Sequence, residues 1–399
     1  MADLSTTPPL TRESVIEAHK LIGPYVHFTP VLTNQTITKL ASTPRTAEEL
    51  EGTRYAGRTP ARPVLRLWFK CENLQRIGAF KARGAFHAIE RLKKEPGWLE
   101  GRGKEKGVVT HRNHAQALAL AARESGIKAH IVMPEISNPK KIAGTKGYGA
   151  RVIFSGSTST EREAMAAKVI AETGARLVPP YDHPDILLGQ GTLGLEFQQQ
   201  VSELMTADAV VDGQRRLFRA PVTGRDNEAP RTKKEKPGLD AIMTPCGGGG
   251  MLSGVALSCE GTGIRVFGSE PSFEGADDAK RGFESGTRIT TVKTLTVADG
   301  LRTPVGEHPW SVIYGRRLVS GMYSVTEEEI LAAMKLVFER FKLVVEPSAC
   351  VPLAVALFDE DFRSMVEREA GEEGWDLGLV FSGGNIGLDA VGKLFEGNK

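Results

Sequence analysis

The sequence has few cysteines, no long apolar run and no excess of either charge. Its four cysteines, among 399 residues, are scattered and form no C-x-x-C pair, which argues against a zinc site or a disulfide framework. No apolar segment approaches the roughly 20 residues that a membrane-spanning helix needs. The 51 Lys and Arg residues nearly balance the 49 Asp and Glu residues. The charge balance therefore does not favour a nucleic acid or a membrane as partner.

The amino-terminal segment, residues 1–9, lacks targeting features. It is polar and contains prolines, without the apolar core of a secretory signal or the Arg-rich pattern of an organelle presequence. We therefore expect a cytoplasmic protein. With 40% hydrophobic and 25% charged residues, the composition is that of an ordinary globular protein. The length is sufficient for one large or two medium domains.

Strand-like and helix-like segments alternate along the chain. Short apolar runs predict strands at 107–111, 128–134, 150–154, 239–244, 264–269 and 377–381. Helical patterns predict helices at 114–124, 161–172, from 251 onward and at 326–341. This alternation predicts an α/β fold with parallel sheets flanked by helices.

Local signals mark the ends of two of these helices. Thr160 is the predicted N-cap of the helix at 161–172, and Gly174 lies just past its carboxyl end. Thr326 and Glu329 have the spacing of a capping box, which predicts a helix beginning there.

Two segments, 41–63 and 206–238, interrupt the alternation. The first is rich in Thr, Arg, Pro and Glu, and the second carries many Lys and Arg residues with several prolines. Both are predicted to be surface insertions. Because the basic run lacks aromatic interleaving and a binding fold, we interpret it as a solvated loop and expect no nucleic acid as partner.

Four consecutive glycines lie between a predicted strand and a predicted helix. Without Cβ atoms, their N–H groups can turn toward one point, and the helix start adds free N–H groups and a positive dipole end. This arrangement predicts a phosphate-binding loop rather than a merely flexible one. No Lys-Ser or Lys-Thr pair follows, so it is not a nucleoside-triphosphate loop. The glycine loop consists of Gly247, Gly248, Gly249 and Gly250, and Met251 follows it.

The segment 70–85 closely resembles a family motif. It runs K-C-E-N-L-Q-R-I-G-A-F-K-A-R-G-A, which is similar to K-x-E-x-x-Q-x-T-G-S-F-K-x-R-G-A of the fold-type II pyridoxal-phosphate (PLP) enzymes, the threonine/serine dehydratase and serine racemase family. Six further segments resemble motifs of this family in the same order: N-H-A-Q at 113–116, G-Q-G-T at 189–192, G-G-G-G-M at 247–251, A-D-G at 298–300, E-P-S-A at 346–349 and S-G-G-N at 382–385. Ordered matches are far more specific than any single one.

The resemblance implies a two-domain fold like that of the tryptophan synthase β subunit, with PLP in the cleft between the domains. The larger domain would comprise 1–81 and 160–399, and the smaller one 82–159. Lys81 would be the catalytic residue and carry the cofactor as a Schiff base. Further cofactor contacts would come from Phe80, Asn113, Gly247, Gly248, Gly249, Gly250, Met251, Glu346 and Ser382. The expected partners are a small amino acid substrate and, since family members are commonly dimers, a second copy of the chain.

The loop before Asn113 departs from the family pattern. The family has T-x-S-x-G-N-H, whereas this chain has Thr110, His111, Arg112, Asn113 and His114 and is two residues shorter. The missing serine is the one that, in the racemases, acts on the opposite face of Cα. Arg112 could supply a charged clamp for the substrate carboxylate or could plug the site. Arg112 and His114 are the predicted substrate-binding residues.

The resemblance predicts a PLP-dependent lyase that converts L-threonine or L-serine to a 2-oxo acid and ammonia. Lys81 would take the Cα proton. A serine hydroxyl such as that of Ser382 cannot keep the pyridine nitrogen protonated as a carboxylate would, which favours prompt β-elimination. One alternative is a serine racemase, which needs a second acid on the far face of Cα. Another is a catalytically impaired protein of the same fold, because of the altered loop.

A metal site is the last feature that the resemblance suggests. Some family members bind Mg²⁺ or a similar cation through a glutamate and an aspartate a few residues later. Glu270, Ala276 and Asp278 lie in a stretch that resembles this site with two residues inserted. Oxygen ligands suit Mg²⁺ or Ca²⁺. The alternative is a solvated acidic loop.

Overall fold

The strands form two sheets that are almost entirely parallel. The computed structural model describes residues 3–111, 114–137, 139–156, 158–207 and 237–396. Within them the strands are β1 (Val31–Leu32), β2 (Leu65–Cys71), β3 (Val108–His111), β4 (Ala129–Pro134), β5 (Arg151–Ser155), β6 (Arg176–Leu177), β7 (Ala241–Pro245), β8 (Arg265–Pro271), β9 (Gly321–Val325) and β10 (Trp375–Phe381).

The larger sheet has the strand order β1-β2-β10-β7-β8-β9, and the smaller one has the order β5-β4-β3-β6. β1 pairs antiparallel with β2, whereas the other pairs of these strands are parallel. Each predicted strand overlaps an observed one. The prediction of an α/β fold with parallel sheets flanked by helices is therefore confirmed.

Helices connect and cover the strands. Along the described residues they are α1 (Arg12–Ile22), α2 (Gln35–Ser42), α3 (Ala47–Leu50), α4 (Lys81–Lys93), α5 (Gly103–Lys106), α6 (Ala115–Glu124), α7 (Pro139–Gly147), α8 (Ser159–Thr173), α9 (Pro184–Ala207), α10 (Gly250–Cys259), α11 (Asp278–Ser285), α12 (Glu307–Trp310), α13 (Glu327–Leu336), α14 (Pro347–Phe358), α15 (Glu360–Ala370) and α16 (Leu388–Phe395). Short π-helical turns, Ser311–Gly315 and Val337–Phe341, directly follow α12 and α13. None of the helices in these ranges combines the length and the apolar character that crossing a membrane requires.

Two helix starts test the predicted caps. At α13 the predicted capping box is confirmed, because the Thr326 and Glu329 side chains each accept the other's backbone N–H. At α8 the predicted N-cap, Thr160, is wrong. Thr158 is the cap, since it stands three residues before Glu161 and the two exchange the same reciprocal hydrogen bonds. Gly174 ends α8 with φ of 69°, as predicted.

Successive residues of the central strands face two different cores. In β10, Leu379 and Phe381 pack in one core with α13 and α14, whereas Val380 packs in another with α9 and α10. β7 repeats the pattern with Met243 and Ile242. This alternation is the two-residue period of a strand, and it shows that helices cover both faces of the larger sheet, as is usual for parallel sheets.

The segment 41–63 is anchored to the domain, although we predict it as a surface insertion. Leu50 and Tyr55 are buried. The backbone N–H of Ala61 donates to the Glu360 carboxylate at 2.8 Å, and Arg363 donates to the carbonyl of residue 41 at 2.6 Å. These hydrogen bonds hold the backbone of the segment against α15. Of the second predicted insertion, 206–238, residues 208–236 lie outside the described residues.

The smaller sheet extends beyond the predicted limits of the smaller domain. Its strands β3, β4 and β5 lie within 82–159, but β6 (Arg176–Leu177) pairs with β3 from outside that range. The exact division of the chain into two domains stays a prediction.

The anchoring of segment 41–63 predicts a specific loss of stability. Leu50→Ala should lower the free energy of unfolding by about 2–4 kcal/mol, because it removes a fully buried side chain. The control is Leu40→Ala on α2, where the leucine is 43% exposed and the change should stay within about 0.5 kcal/mol. Equilibrium urea unfolding measures both, and equal effects would contradict the packing described above.

Candidate active site

The candidate site lies at the carboxyl edge of the larger sheet, where neighbouring strands end together. β10 pairs with β2 as far as Phe381 and Cys71, and it pairs with β7 on its other side. Parallel strands end at the same edge, so the segments that follow them emerge side by side. These segments carry Lys81 after β2, the glycine loop after β7 and Ser382 after β10.

Backbone hydrogen bonds fix Lys81 beside the end of β10. Lys81 is the first residue of α4. The N–H of Phe80 donates to the carbonyl of Ser382 at 3.1 Å, and the N–H of Gly384 donates to the carbonyl of Gly78 at 2.9 Å. The turn that carries Lys81 is thereby joined to the segment that carries Ser382.

The chain is strained just before this turn. Ile77 has φ of 61° and ψ of 7°, a left-handed conformation that is a genuine outlier for a β-branched residue. Such a residue costs about 1–3 kcal/mol and persists only where the surrounding structure enforces it, most often at functional sites. Ile77 also lines the cavity described below.

The surroundings of the Lys81 amine favour its neutral form. Its Nζ lies 4.5 Å from the centroid of the Phe80 ring. Burial lowers the pKa of the amine below the usual lysine value, although the charge of Glu346 opposes this effect. A lowered pKa leaves more of the lysine as an unprotonated nucleophile and base near neutral pH.

Three positions of the glycine loop, Gly247, Gly248 and Gly249, leave no room for a side chain, because their neighbours approach the backbone closely. A Cβ at Gly247 would lie 2.9 Å from the Cα of Leu301, and one at Gly248 would overlap the Tyr181 ring. Gly249 has φ of 82°, in the left-handed region. α10 begins directly after it, so its first free N–H groups face the loop. The structure therefore presents a cradle for an anion such as a phosphate.

Glu346 and Ser382 are two further predicted cofactor contacts near the end of β10 and the start of α14. Glu346 precedes α14, and its carboxylate accepts the backbone N–H of Asn385 at 3.2 Å. Burial, followed by the charge of Asp299, raises the pKa of Glu346 to about 7. Ser382 is buried at the end of β10.

One cavity of about 1100 Å³ brings most of the predicted site residues together. Its wall includes Phe80, Lys81, Gly247, Gly248, Gly249, Gly250, Met251, Glu346 and Ser382. Arg112 and Asn113 lie outside the described residues. His114 is fully buried before α6 and is not among the described residues that line the cavity, whereas the next residue, Ala115, is.

The sequence motifs do not predict an ion pair in the cavity wall, between Lys141 and Asp299. The Nζ of Lys141, on α7 beside the smaller sheet, lies 2.9 Å from the Oδ2 of Asp299. Along the chain, Asp299 lies between β8 and β9 of the larger sheet. Both line the cavity. Asp299 belongs to the matched A-D-G motif, but no motif marks Lys141, and its pairing with a residue 158 positions away has no local signal.

The predicted metal residues are close together and buried. Glu270, on β8, accepts two backbone N–H bonds from the first turn of α11, at 3.1 and 2.8 Å. Asp278 accepts the N–H of Val305 through Oδ2 at 3.1 Å, while its buried Oδ1 has no hydrogen-bond partner. Ala276 is buried as well. These residues therefore do not form a solvated acidic loop.

The two carboxyl groups resist ionisation in this position. Burial, followed by the charge of Asp278, raises the pKa of Glu270 well above its usual range, and burial raises the pKa of Asp278 to about 7. Among the residues that the structure describes, no group of three or more His, Cys, Asp or Glu side chains could hold a metal. A cation here would need a backbone carbonyl in addition to the two carboxylates.

The chain belongs to the family of pyridoxal-phosphate dependent enzymes, whose family model matches residues 53–213 and 229–371. Within it, the chain falls in the fold-type II group of serine racemases and threonine dehydratases. The predicted family and the predicted cofactor, PLP, are thus confirmed. An aldehyde cofactor with a phosphate also suits the cavity, whose wall includes the Lys81 amine and the glycine cradle.

Several relatives match over nearly their whole length. The chain is 36% identical to a serine racemase of Arabidopsis thaliana over 390 residues, which is 97% of this chain and 96% of the relative. It is 33% identical to the L-threo-3-hydroxyaspartate ammonia-lyase of Saccharomyces cerevisiae, covering 98% and 97% of the two chains. The solved structure of maize serine racemase superposes with a TM-score of 0.74 at 34% identity, covering 96% of each chain.

The close packing of the glycine loop predicts a loss of PLP affinity in Gly248→Ala. The new Cβ would overlap the Tyr181 ring, so the loop must shift and lose at least one N–H bond to the phosphate. The affinity for PLP should fall by about tenfold or more, since one hydrogen bond to a charged group contributes about 1.5–3 kcal/mol.

Fluorescence titration of the apoprotein with PLP measures this effect. The matched control is Gly23→Ala, where a Cβ would meet open space and the affinity should not change. Unaltered PLP affinity in Gly248→Ala would show that the cradle does not bind the phosphate.

Proposed function

We propose that this chain is a PLP-dependent lyase that converts a hydroxy-amino acid, L-threonine or L-serine, to a 2-oxo acid and ammonia. One observation carries the proposal: Lys81, the glycine loop and Ser382 line a single cavity at the carboxyl edge of the larger sheet. The names of the relatives support a reaction at the Cα of a hydroxy-amino acid, because they include an ammonia-lyase as well as serine racemases.

The residues of the cavity wall would divide the tasks of this reaction among them. The cofactor, when bound, supplies an electron sink for the negative charge that develops at the substrate Cα. The glycine loop would hold the phosphate, and Lys81 would be the point of attachment until the amine of the substrate takes its place. The freed Nζ of Lys81, whose pKa burial lowers, then takes the proton from Cα as general base.

The hydroxyl of Ser382 supports elimination. We place it opposite the pyridine nitrogen, where a hydroxyl does not keep the ring protonated as a carboxylate would. A neutral ring disperses the charge at Cα less well. The hydroxyl on Cβ would therefore leave promptly, taking up a proton to depart as water. The released enamine would then take up one water molecule and give the 2-oxo acid and ammonia.

Serine racemisation is the second candidate function, and the relatives named serine racemase favour it. Racemisation needs a proton donor on the face of Cα opposite Lys81. The serine that has this role in the racemases has no counterpart in the loop 110–113. We therefore rank the lyase first.

The proposal predicts pyruvate and ammonia from L-serine, and 2-oxobutyrate and ammonia from L-threonine, with the PLP-loaded protein. Lys81→Ala should reduce the rate by at least about 10²-fold, because a general base contributes about 10²- to 10⁴-fold. The control is Lys94→Ala, an exposed lysine at the other end of α4, which should keep the wild-type rate. Coupled assays for ammonia and for the 2-oxo acid measure the reaction.

Chiral chromatography of the same mixtures separates the two candidates. Formation of D-serine without pyruvate would overturn the lyase in favour of the racemase. If borohydride reduction of the PLP-loaded protein followed by peptide mapping left residue 81 unlabelled, the attachment point itself would be wrong.

We also propose that Mg²⁺ or a similar cation binds at Glu270, Asp278 and the carbonyl of Ala276. Two neighbouring buried carboxylates need a compensating positive charge to be stable. The Oδ1 of Asp278, which has no hydrogen-bond partner, is an available ligand for a cation. The hydrogen bonds that Glu270 and Asp278 already accept from backbone N–H groups fix their orientation. The cation would stabilise this part of the larger sheet without touching the substrate.

The metal proposal predicts that Mg²⁺ stabilises the protein in the absence of PLP. At an excess of about 100 times the dissociation constant, binding should add about 2.7 kcal/mol to the free energy of unfolding. Differential scanning calorimetry with Mg²⁺ and with EDTA measures the effect. Asp278→Asn should abolish the response, whereas Asp277→Asn, next to it on the chain, should retain it. An equal response in both variants would contradict the site.

A further inference from the structure

A buried cluster of four charged side chains lies behind Lys81. Lys70, Glu72, Arg83 and Glu196 are each at most 2% exposed. Arg83 binds both carboxylates through paired contacts, at 2.8 and 2.8 Å to Glu72 and at 2.7 and 2.7 Å to Glu196. Lys70 donates to Glu196 at 2.9 Å, and also to a backbone carbonyl and to an amide oxygen. Two cations and two carboxylates thus compensate each other.

The cluster joins three elements. Arg83 stands two residues after Lys81 in the first turn of α4, Lys70 and Glu72 lie at the end of β2, and Glu196 is on α9. Although burial opposes its charge, the two carboxylates raise the pKa of Arg83 above its usual value. The paired contacts of a guanidinium with a carboxylate fix direction as well as distance. The first turn of α4 is therefore held at a defined angle to α9.

α9 also packs closely against α4, and glycines lie at the crossing. A Cβ at Gly84 of α4 would lie 2.6 Å from the Gln190 amide, and one at Gly189 of α9 would lie 2.8 Å from the Cα of Gly84. In addition, the Gln190 side chain accepts the backbone N–H of Gly84 at 3.2 Å. Any larger residue at this crossing would push α4, and Lys81 with it, away from α9.

The opposite side of α9 makes the same kind of contact with α10. A Cβ at Gly191 would lie 2.5 Å from the carbonyl oxygen of Gly254, and one at Gly254 would lie 2.6 Å from the N of Gly191. Residues two apart project about 200° from each other on a helix with about 3.6 residues per turn. Gly189 and Gly191 therefore open opposite sides of α9, one toward the helix of Lys81 and the other toward the helix of the glycine loop.

We infer that α9 is a spacer that sets the distance between Lys81 and the glycine loop. Gly189 and Gly191 fix the two helix separations, and the pairing of Arg83 with Glu196 fixes the angle. These are positioning residues, because they act on the cofactor only through Lys81 and through the loop. The inference rests on the proposed function, in which the amine and the phosphate cradle hold the two ends of one rigid cofactor.

The test compares Gly191→Ala with Gly315→Ala, a position where a Cβ meets open space. Gly191→Ala should raise the dissociation constant of PLP by between about tenfold and about a hundredfold, because displacing the loop would cost at least one hydrogen bond to the charged phosphate. It should also shift the visible spectrum of the bound cofactor and lower the borohydride labelling of residue 81. Gly315→Ala should match the wild type in all three measurements.

Arg83 gives a second series in case Gly191→Ala does not fold. Arg83→Lys keeps the charge but cannot bind two carboxylates through paired contacts, so its PLP affinity should lie between those of the wild type and of Arg83→Met. All measurements are made well below the thermal midpoint of each variant. Variants that lose thermal stability but keep the wild-type PLP affinity, spectrum and labelling would overturn the inference and leave only a structural role.

The outcomes separate the inference from the proposed reaction. If the wild type is labelled at residue 81 but turns over no hydroxy-amino acid, the reaction is wrong, while PLP affinity still tests the spacer. If the wild type turns over substrate and the Gly191 and Arg83 variants bind PLP as it does, the spacer alone is wrong. If residue 81 is not labelled in the wild type, both the proposed reaction and the spacer inference are wrong.

Discussion

The backbone contact of α9 with α4 on one side and α10 on the other is the constraint on which the proposed site depends. A cofactor held at two ends needs an amine and a phosphate cradle at a fixed separation, and here these groups come from distant parts of the chain. Side chains between helices can change rotamer, whereas backbones that touch at glycines have no such freedom. The G-Q-G-T motif therefore has a mechanical explanation, although Gly189 and Gly191 are absent from the described cavity wall.

The buried charges behind Lys81 complement this contact. A purely apolar packing of similar volume is often as stable as a buried ion cluster, so stability alone does not explain why Arg83 and Glu196 are there. Paired contacts between a guanidinium and a carboxylate are directional, however, and apolar contacts are not. The cluster can thus define an angle between α4 and α9, while the strained Ile77 shows that the chain before Lys81 also accepts a local cost to reach its position.

Sequence patterns predicted the parts of this molecule that depend on neighbouring residues. The strands, the capping box at Thr326 and the glycine loop each have a local signal, and even the missed cap of α8 was visible in the spacing of Thr158 and Glu161. Contacts between distant residues have no such signal. Glu196 meets Arg83 across 113 positions. Composition alone predicts segment 41–63 as a surface insertion, because its hydrogen-bond partners on α15 lie some 300 positions away.

Whether the proposed reaction is elimination or racemisation would depend on the cavity wall opposite Lys81. Lys81, the glycine loop and Ser382 all follow strands of the larger sheet, and both proposed reactions would use them. The opposite wall comes from the smaller sheet and its helices, including Gln116, Ser137 and Lys141. Lys141 forms an ion pair with Asp299 at 2.9 Å, a residue that lies between β8 and β9 of the larger sheet along the chain. In the proposed racemisation a second acid would act from this wall, whereas the proposed elimination needs none there.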